Sequence, residues 1–293
     1  MEEKALVIGG SGFVGSHIAD CLSDRGYAVS IFDQSESPWL RPDQKMIIGD
    51  YLDRPLVDRA IRGVNVVYHF GGVADIDESA NNPYETIHSN VLGTTCVLEA
   101  AVRNKVKRFL YASTVYVYSQ FGSIYRASKQ ASEILIEAYS DEYNLDYTML
   151  RYGSLYGPRA QKWNGLRRMV EGIVSNNHYT IGGTGQEMRE YIHVNDAATL
   201  SVDVLDDTYK NCAVTITGTQ VLSSRNLTEM ICEISGSNTN IDFQEAVKST
   251  HHYTLTPYRY TPKSAKKLVP KEFVDIGQGI LEVVEDLDSK SLC

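Results

Sequence analysis

Gly9-Gly10-Ser11-Gly12-Phe13-Val14-Gly15 follows a run of four apolar residues, Ala5-Leu6-Val7-Ile8, and opens a helical pattern from about Val14 to Arg25, closed by Gly26. An apolar run that ends in glycines reads as a buried parallel strand. The stretch satisfies two overlapping spacings. Gly10, Gly12 and Gly15 give G-x-G-x-x-G, and Gly9, Gly12 and Gly15 give G-x-x-G-x-x-G. Each glycine has a physical role. One permits the tight turn, one lets backbone approach a pyrophosphate, and one lets the helix pack close to the sheet. The helix N-terminus then offers free N–H groups and a positive dipole end to phosphates.

A glycine triad alone is weak evidence, but here the context it needs is present: a strand before, a helix after, and an acid about 20 residues on. That acid is Asp33, at the end of the second apolar run Tyr27–Phe32. A carboxylate there accepts hydrogen bonds from adenosine ribose hydroxyls and repels a 2′-phosphate, so NAD is expected over NADP. The expected NAD-binding set is Gly9, Gly12, Phe13, Val14, Gly15 and Asp33, with Asp50 and Tyr51 after the third strand. For Asp50 two readings stay open, a contact to the adenine edge and a plain helix N-cap.

Outward from this turn the chain alternates strand and helix. Strands are expected at Lys45–Ile48, Val64–Phe70, Arg108–Ala112 and Asp146–Leu150, and helices at Leu56–Ile61, Asn82–Asn104 and Ser123–Tyr143. Repeated strand–helix–strand units imply a parallel sheet covered on both faces. The expected class is α/β, a Rossmann doubly wound parallel sheet with a smaller, irregular C-terminal substrate-binding region. The NAD-binding domain is placed at 1–160 plus about 188–217, with a return to the core sheet near Tyr191 to Leu205. The substrate region is placed at about 161–187 plus 218–293. The chain's 293 residues, 43% hydrophobic, suffice for a large core in one or two domains. A net charge of −9 argues against a nucleic-acid surface. No stretch reaches the apolar length of a membrane span, and Met1–Lys4 lacks signal-peptide shape, so a cytoplasmic location is expected. The five cysteines have no metal or redox spacing and read as free thiols. His251-His252 reads as a solvated loop pair rather than a metal site. Tyr253 to Tyr260 reads either as pocket lining or as packing.

Tyr125-Arg126-Ala127-Ser128-Lys129 places a phenol and an ammonium at i and i+4, on one helix face about a turn apart. A neighbouring ammonium and a positively charged nicotinamide both favour the phenolate. Such a tyrosine can take a proton from a substrate hydroxyl while hydride leaves the same carbon. Ser113 and Thr114 end the strand just upstream. Either hydroxyl can bond the substrate oxygen, and either can serve as an ordinary strand-end cap.

Together these residues resemble the extended short-chain dehydrogenase/reductase family, in particular its NAD-dependent nucleotide-sugar epimerases and dehydratases. Further marks are Asn90-Val91-Leu92-Gly93-Thr94, the segment Leu150 to Arg159 (LRYGSLYGPR), and Arg189 to Ala198 (REYIHVNDAA), similar to the family's Arg-Asp-Tyr-Ile-His-Val-x-Asp. The resemblance implies Tyr125 and Lys129 as catalytic pair, with Lys129 also bonding the nicotinamide ribose. It implies Thr114 as catalytic hydroxyl, with Ser113 second. It implies Arg189 as diphosphate clamp, where the plain alternative is a surface arginine paired with Glu190. Tyr152 and Ser154 fall in the family's substrate segment. Two departures stand out: the stretch from Thr114 to Tyr125 is short, and Ser154 replaces the common Asn.

Family dehydratases place Asp-Glu directly after the catalytic Thr, and decarboxylases use a Glu there; this chain has Val115 and Tyr116. The resemblance therefore implies a nucleotide-diphosphate-sugar 4-epimerase working by transient oxidation at C4. An NAD-linked sugar-nucleotide dehydrogenase or 4-keto reductase is the second expectation, and a non-catalytic NAD-binding sensor on the same fold the third. A homodimer through the helices at Asn82–Asn104 and Ser123–Tyr143 is also implied, isologous as a two-fold requires.

Overall fold

In the computed structural model the chain is described for residues 3–219, 221–244, 253 and 255–257. His251-His252, Cys293 and most of the expected substrate region beyond 244 lie outside the described residues. The chain runs β1 (Lys4–Ile8), α1 (Phe13–Asp24), β2 (Ala28–Asp33), β3 (Lys45–Ile48), α2 (Arg54–Ile61), β4 (Val66–His69), α3 (Ile76–Asn81) and α4 (Pro83–Ile87). A π-helical turn (His88–Leu92) leads into α5 (Gly93–Arg103), β5 (Arg108–Thr114), a 3₁₀ turn (Val115–Tyr118), α6 (Ser123–Tyr143), β6 (Tyr147–Tyr152) and β7 (Ser154–Tyr156). There follow α7 (Gly165–Ser175), β8 (His178–Gly182), β9 (Met188–His193), α8 (Val194–Asp203), β10 (Cys212–Ile216), β11 (Val221–Ser223), α9 (Ser224–Ser235) and β12 (Asn240–Gln244).

Among the described residues, seven strands form one parallel sheet in the order β10-β6-β5-β4-β1-β2-β3. The strand order reverses at β1/β4, as in the doubly wound dinucleotide-binding folds. Alternation along β1 explains why the strand is apolar throughout. Leu6 and Ile8 join a core cluster with Val57, Leu98 and Ile136, from α2, α5 and α6. Ala5 and Val7 join the opposite cluster with Ile18 and Leu22 of α1 and Ala197 and Val202 of α8. Complete burial of Leu6, Val7 and Ile8 contributes about 1.5–3 kcal/mol each.

The sequence reading and the structure part in four places. The expected helix Asn82–Asn104 is broken by the π-turn, and α3, capped by Asp75 accepting from the Asp77 and Glu78 N–H groups, precedes it. β5 runs two residues further than expected and carries Ser113 and Thr114 to its end. The return to the core sheet is made by β10 at Cys212–Ile216, beside β6. Finally, β9 pairs with β7 and β11 in a separate three-stranded sheet, so Tyr191–Leu205 does not re-enter the main sheet as a strand.

Candidate active site

The turn after β1 sits at the reversal point of the sheet. Gly9 has φ +80°, and a Cβ there would lie 2.6 Å from the Gly71 nitrogen in the turn after β4. A Cβ on Gly15 would lie 2.3 Å from the Gly9 oxygen. The two turns and the start of α1 therefore meet backbone to backbone. Gly12 is the N-cap of α1 and brings no side-chain cap, so the first-turn N–H groups stay available to an anion. One oxygen of Asp33 accepts the Ser11 N–H at 2.9 Å, tying the acid to the cradle. Phe13 packs with Ala160 and Val194, so its ring is a core contact and its backbone faces the turn.

Asp50 accepts the Leu52 N–H at 2.9 Å, closing its own turn, while Asp53 caps α2 by accepting from Leu56. The cap expected as one option for Asp50 thus belongs to Asp53. Tyr51 is buried, its ring against Gly71 and Gly93 and its hydroxyl bonded to Ser89. Both glycines are crowded: a Cβ at Gly93 would come within 2.2 Å of the Tyr51 ring.

At the ends of β4 and β5 the second group of residues converges. Lys129, buried on α6, donates from Nζ to the Ala112 carbonyl at 2.8 Å. Its ammonium lies 4.8 Å from the Tyr111 ring centroid and 5.9 Å from that of Tyr125. Burial pulls its pKa down to about 8, against the pull of the Glu133 carboxylate. Burial pushes the Tyr125 phenol up to about 12, opposed by a hydrogen bond from the Thr114 hydroxyl. Desolvation thus outweighs the Thr114 bond, so the phenol holds its proton more tightly than a free tyrosine does. The two candidate hydroxyls separate clearly. Thr114 reaches Tyr125 and also accepts the Tyr116 N–H at 3.2 Å. Ser113 points the other way, donating to Glu133 Oε1 at 2.5 Å.

Arg189 lies beside this centre. Its guanidinium stacks over the Tyr253 ring at 4.8 Å, donates to the Tyr253 carbonyl at 3.4 Å and bonds the Tyr116 hydroxyl. Among the described residues no carboxylate pairs with it; neighbouring positions on a strand face opposite ways, which separates it from Glu190. Tyr116 packs edge-on to Tyr125 at 6.2 Å and lies 4.6 Å from Tyr253. Ser154 is 3.5 Å from the Tyr253 hydroxyl. Tyr152 does not join this group. Its hydroxyl bonds Ser201 Oγ at 2.6 Å in the core between β6 and α8.

Sequence reasoning missed three members of the site. Tyr116 entered only as a missing acid, yet it is the wall beside Tyr125. Glu133 follows Lys129 at i+4, a spacing that signals a shared helix face. Arg151 lies within the family-like segment Leu150 to Arg159, but only the fold shows it opposite Glu133.

The chain matches the NAD dependent epimerase/dehydratase family over residues 5–213. It is 27% identical to a dTDP-glucose 4,6-dehydratase of Streptomyces antibioticus, covering 96% of this chain and 91% of that one. It is 25% identical to a UDP-N-acetyl-alpha-D-glucosaminuronate decarboxylase of Bacillus cytotoxicus, covering 94% and 88%. Its fold is similar to that of a UDP-glucose 4-epimerase with UDP-glucose from Thermotoga maritima, with TM-score 0.81, 24% identity and coverage of 88% and 90%.

Proposed function

This chain belongs to the NAD dependent epimerase/dehydratase family, and from that premise we propose that it is a nucleotide-diphosphate-sugar 4-epimerase. The observation that carries the reading is the pairing of a complete Thr114–Tyr125–Lys129 group with an aromatic Tyr116 packed against Tyr125. Elimination or decarboxylation needs an acid beside the reacting sugar, and this wall supplies none. What is left is hydride and proton transfer at one carbon.

The cradle fits NAD. Gly9 and Gly15 let the turn close backbone to backbone, the uncapped first turn of α1 would take the pyrophosphate, and Asp33 after β2 would take the ribose. When bound, NAD supplies the hydride acceptor and a positive ring that favours ionised Tyr125. Lys129 holds a cation beside Tyr125. Thr114 orients the substrate oxygen and Tyr125 takes its proton, then returns it after the 4-keto sugar has turned over. Arg189, with no carboxylate partner among the described residues, clamps the diphosphate by its bidentate fork. Tyr253 and Ser154 border the same space.

A dehydrogenase or 4-keto reductase is the second reading. The raised pKa of Tyr125 favours its reductase form, since a phenol is ready to give a proton to a keto oxygen. We also propose that two copies pair through α4, α5 and α6.

The test is the full chain with NAD and a panel of UDP-, GDP-, CDP- and dTDP-sugars, followed at 340 nm and by NMR of products. An epimer with no net NADH supports the 4-epimerase. Stoichiometric NADH with a keto or acid product overturns it in favour of the second reading. Tyr125→Phe is expected to lower turnover by about 10²–10⁴-fold while NAD still binds.

A further inference from the structure

Behind the catalytic pair lies a buried ion pair that the proposed reaction does not use. Glu133 sits on α6 one turn after Lys129 and is only 7% exposed. Arg151 on β6 donates to it through two nitrogens, at 2.9 Å and 2.7 Å. Its third nitrogen donates to the Tyr118 hydroxyl at 2.6 Å, with the guanidinium over the Tyr118 ring. The remaining strong contact to the carboxylate is the Ser113 hydroxyl.

Burying two charges is costly, and well-packed apolar residues often do as well for stability. The location gives the pair a purpose. Ser113 and Thr114 are neighbours on β5, so their side chains face opposite sides. Fixing Ser113 to Glu133 fixes the peptide that presents Thr114 to Tyr125. The same carboxylate is on the helix that carries Tyr125 and Lys129. Arg151, paired in register with Ser113 across β5 and β6, closes the triangle.

We propose that Glu133 is a positioning residue of the catalytic centre. Clamped by Arg151, its carboxylate holds the end of β5 at a fixed distance from the Tyr125–Lys129 face of α6 and keeps Ser113 out of the reaction. This rests on the proposed roles of Thr114, Tyr125 and Lys129. It also sets the charge around Lys129. That ammonium faces Glu133 and Tyr125 on its own helix, Tyr111 on β5 and neutral His69 on β4. Glu133 itself faces Arg151 and Tyr147 on β6 and Ser113 and Tyr111 on β5.

The experiment compares NAD-loaded wild type, Glu133→Gln, Ser113→Ala and Thr114→Ala as full chains. It reads kcat and KM on whichever panel sugar turns over, and the ¹³Cε titration of Lys129, assigned with Lys129→Arg. Glu133→Gln removes the anion and leaves Arg151 as an unpaired like charge, so the Lys129 midpoint is expected to fall by about one pH unit. Turnover is expected to fall about 10- to 100-fold, with KM and NAD affinity within about twofold. Ser113→Ala, which removes one of the bonds to the carboxylate, should cost far less than Thr114→Ala. An unmoved Lys129 midpoint or an unchanged kcat overturns the proposal. So does a Ser113→Ala loss as large as that of Thr114→Ala, which would put Ser113 on the substrate and still decide the matter should Glu133→Gln not fold. If wild type turns over no sugar, the 4-epimerase reading fails, while the Lys129 midpoint still decides the role of Glu133.

Discussion

His69 ends β4 fully buried, between the rings of Tyr51, Phe109 and Tyr111, with one ring nitrogen bonded to Thr94. Burial pulls its pKa down to about 3, helped by the charge of Lys129. The native chain therefore refuses a proton that the unfolded chain takes up near pH 6.5. The stability this group allows is complete above pH 6.5 and falls as pH drops toward 3, by up to about 1.4 kcal/mol per unit. Urea unfolding at a series of pH values should show a steeper acid loss in wild type than in His69→Phe. Equal slopes would mean that the imidazole is not the group responsible. Tyr125 and Lys129 are buried too, with the Thr114 hydroxyl and the Ala112 carbonyl as their partners.

At the scale of elements, the glycine turn and the helix it opens form one unit. Gly15→Ala forces a Cβ to within 2.3 Å of the Gly9 oxygen, so it should shift α1 and abolish NAD binding in a fluorescence titration. Gly26→Ala is the contrast. Its φ is +83°, but nothing lies within 4 Å, so it should cost about 1–2 kcal/mol of stability and leave NAD affinity unchanged. Loss of NAD binding in both variants would show that global stability, not the cradle, governs it. The turn was legible in the sequence because glycine spacing and apolar runs are local signals. The π-turn was not. Asn90 sits within it, donates to the Val73 carbonyl and Ser128, and accepts the Val73 N–H. These partners lie 17 and 38 residues away, and no periodicity reports them. The extension of β5 was equally hidden, since Ser113 and Thr114 gain their places from Glu133, Arg151 and Tyr125 rather than from strand propensity. Asp75 with Asp77 and Glu78 was a readable start signal for α3.

For the molecule as a whole, no helix among the described residues is long and apolar enough to cross a membrane. Yet apolar side chains are exposed on α4, the π-turn and α6. Tyr84 is 75% exposed and Ile134 65%, with Ile87 and Leu92 nearby in the chain. A second copy is the proposed cover. Sedimentation should give twice the chain mass at micromolar concentration, and Ile134→Arg should bring it to one chain mass with NAD affinity kept. A wild-type monomer at that concentration sinks the dimer. The seven-stranded order was foreseeable from alternating elements up to β6. The seventh strand was not, because β7, α7, β8, β9 and α8 separate Cys212–Ile216 from β6, and the two meet only through the fold.

The contact between Gly9 and Gly71 carries a last consequence, for descent rather than for chemistry. A turn with no room for a methyl group cannot drift, and neither can the turn it touches. The residues proposed to face NAD, drawn mainly from 9–33, must then be inherited as a block. Ser154, Arg189 and Tyr253 come from three separate places, and each can change without disturbing that block. A lineage built this way is free to exchange its proposed substrate while its coenzyme stays the same.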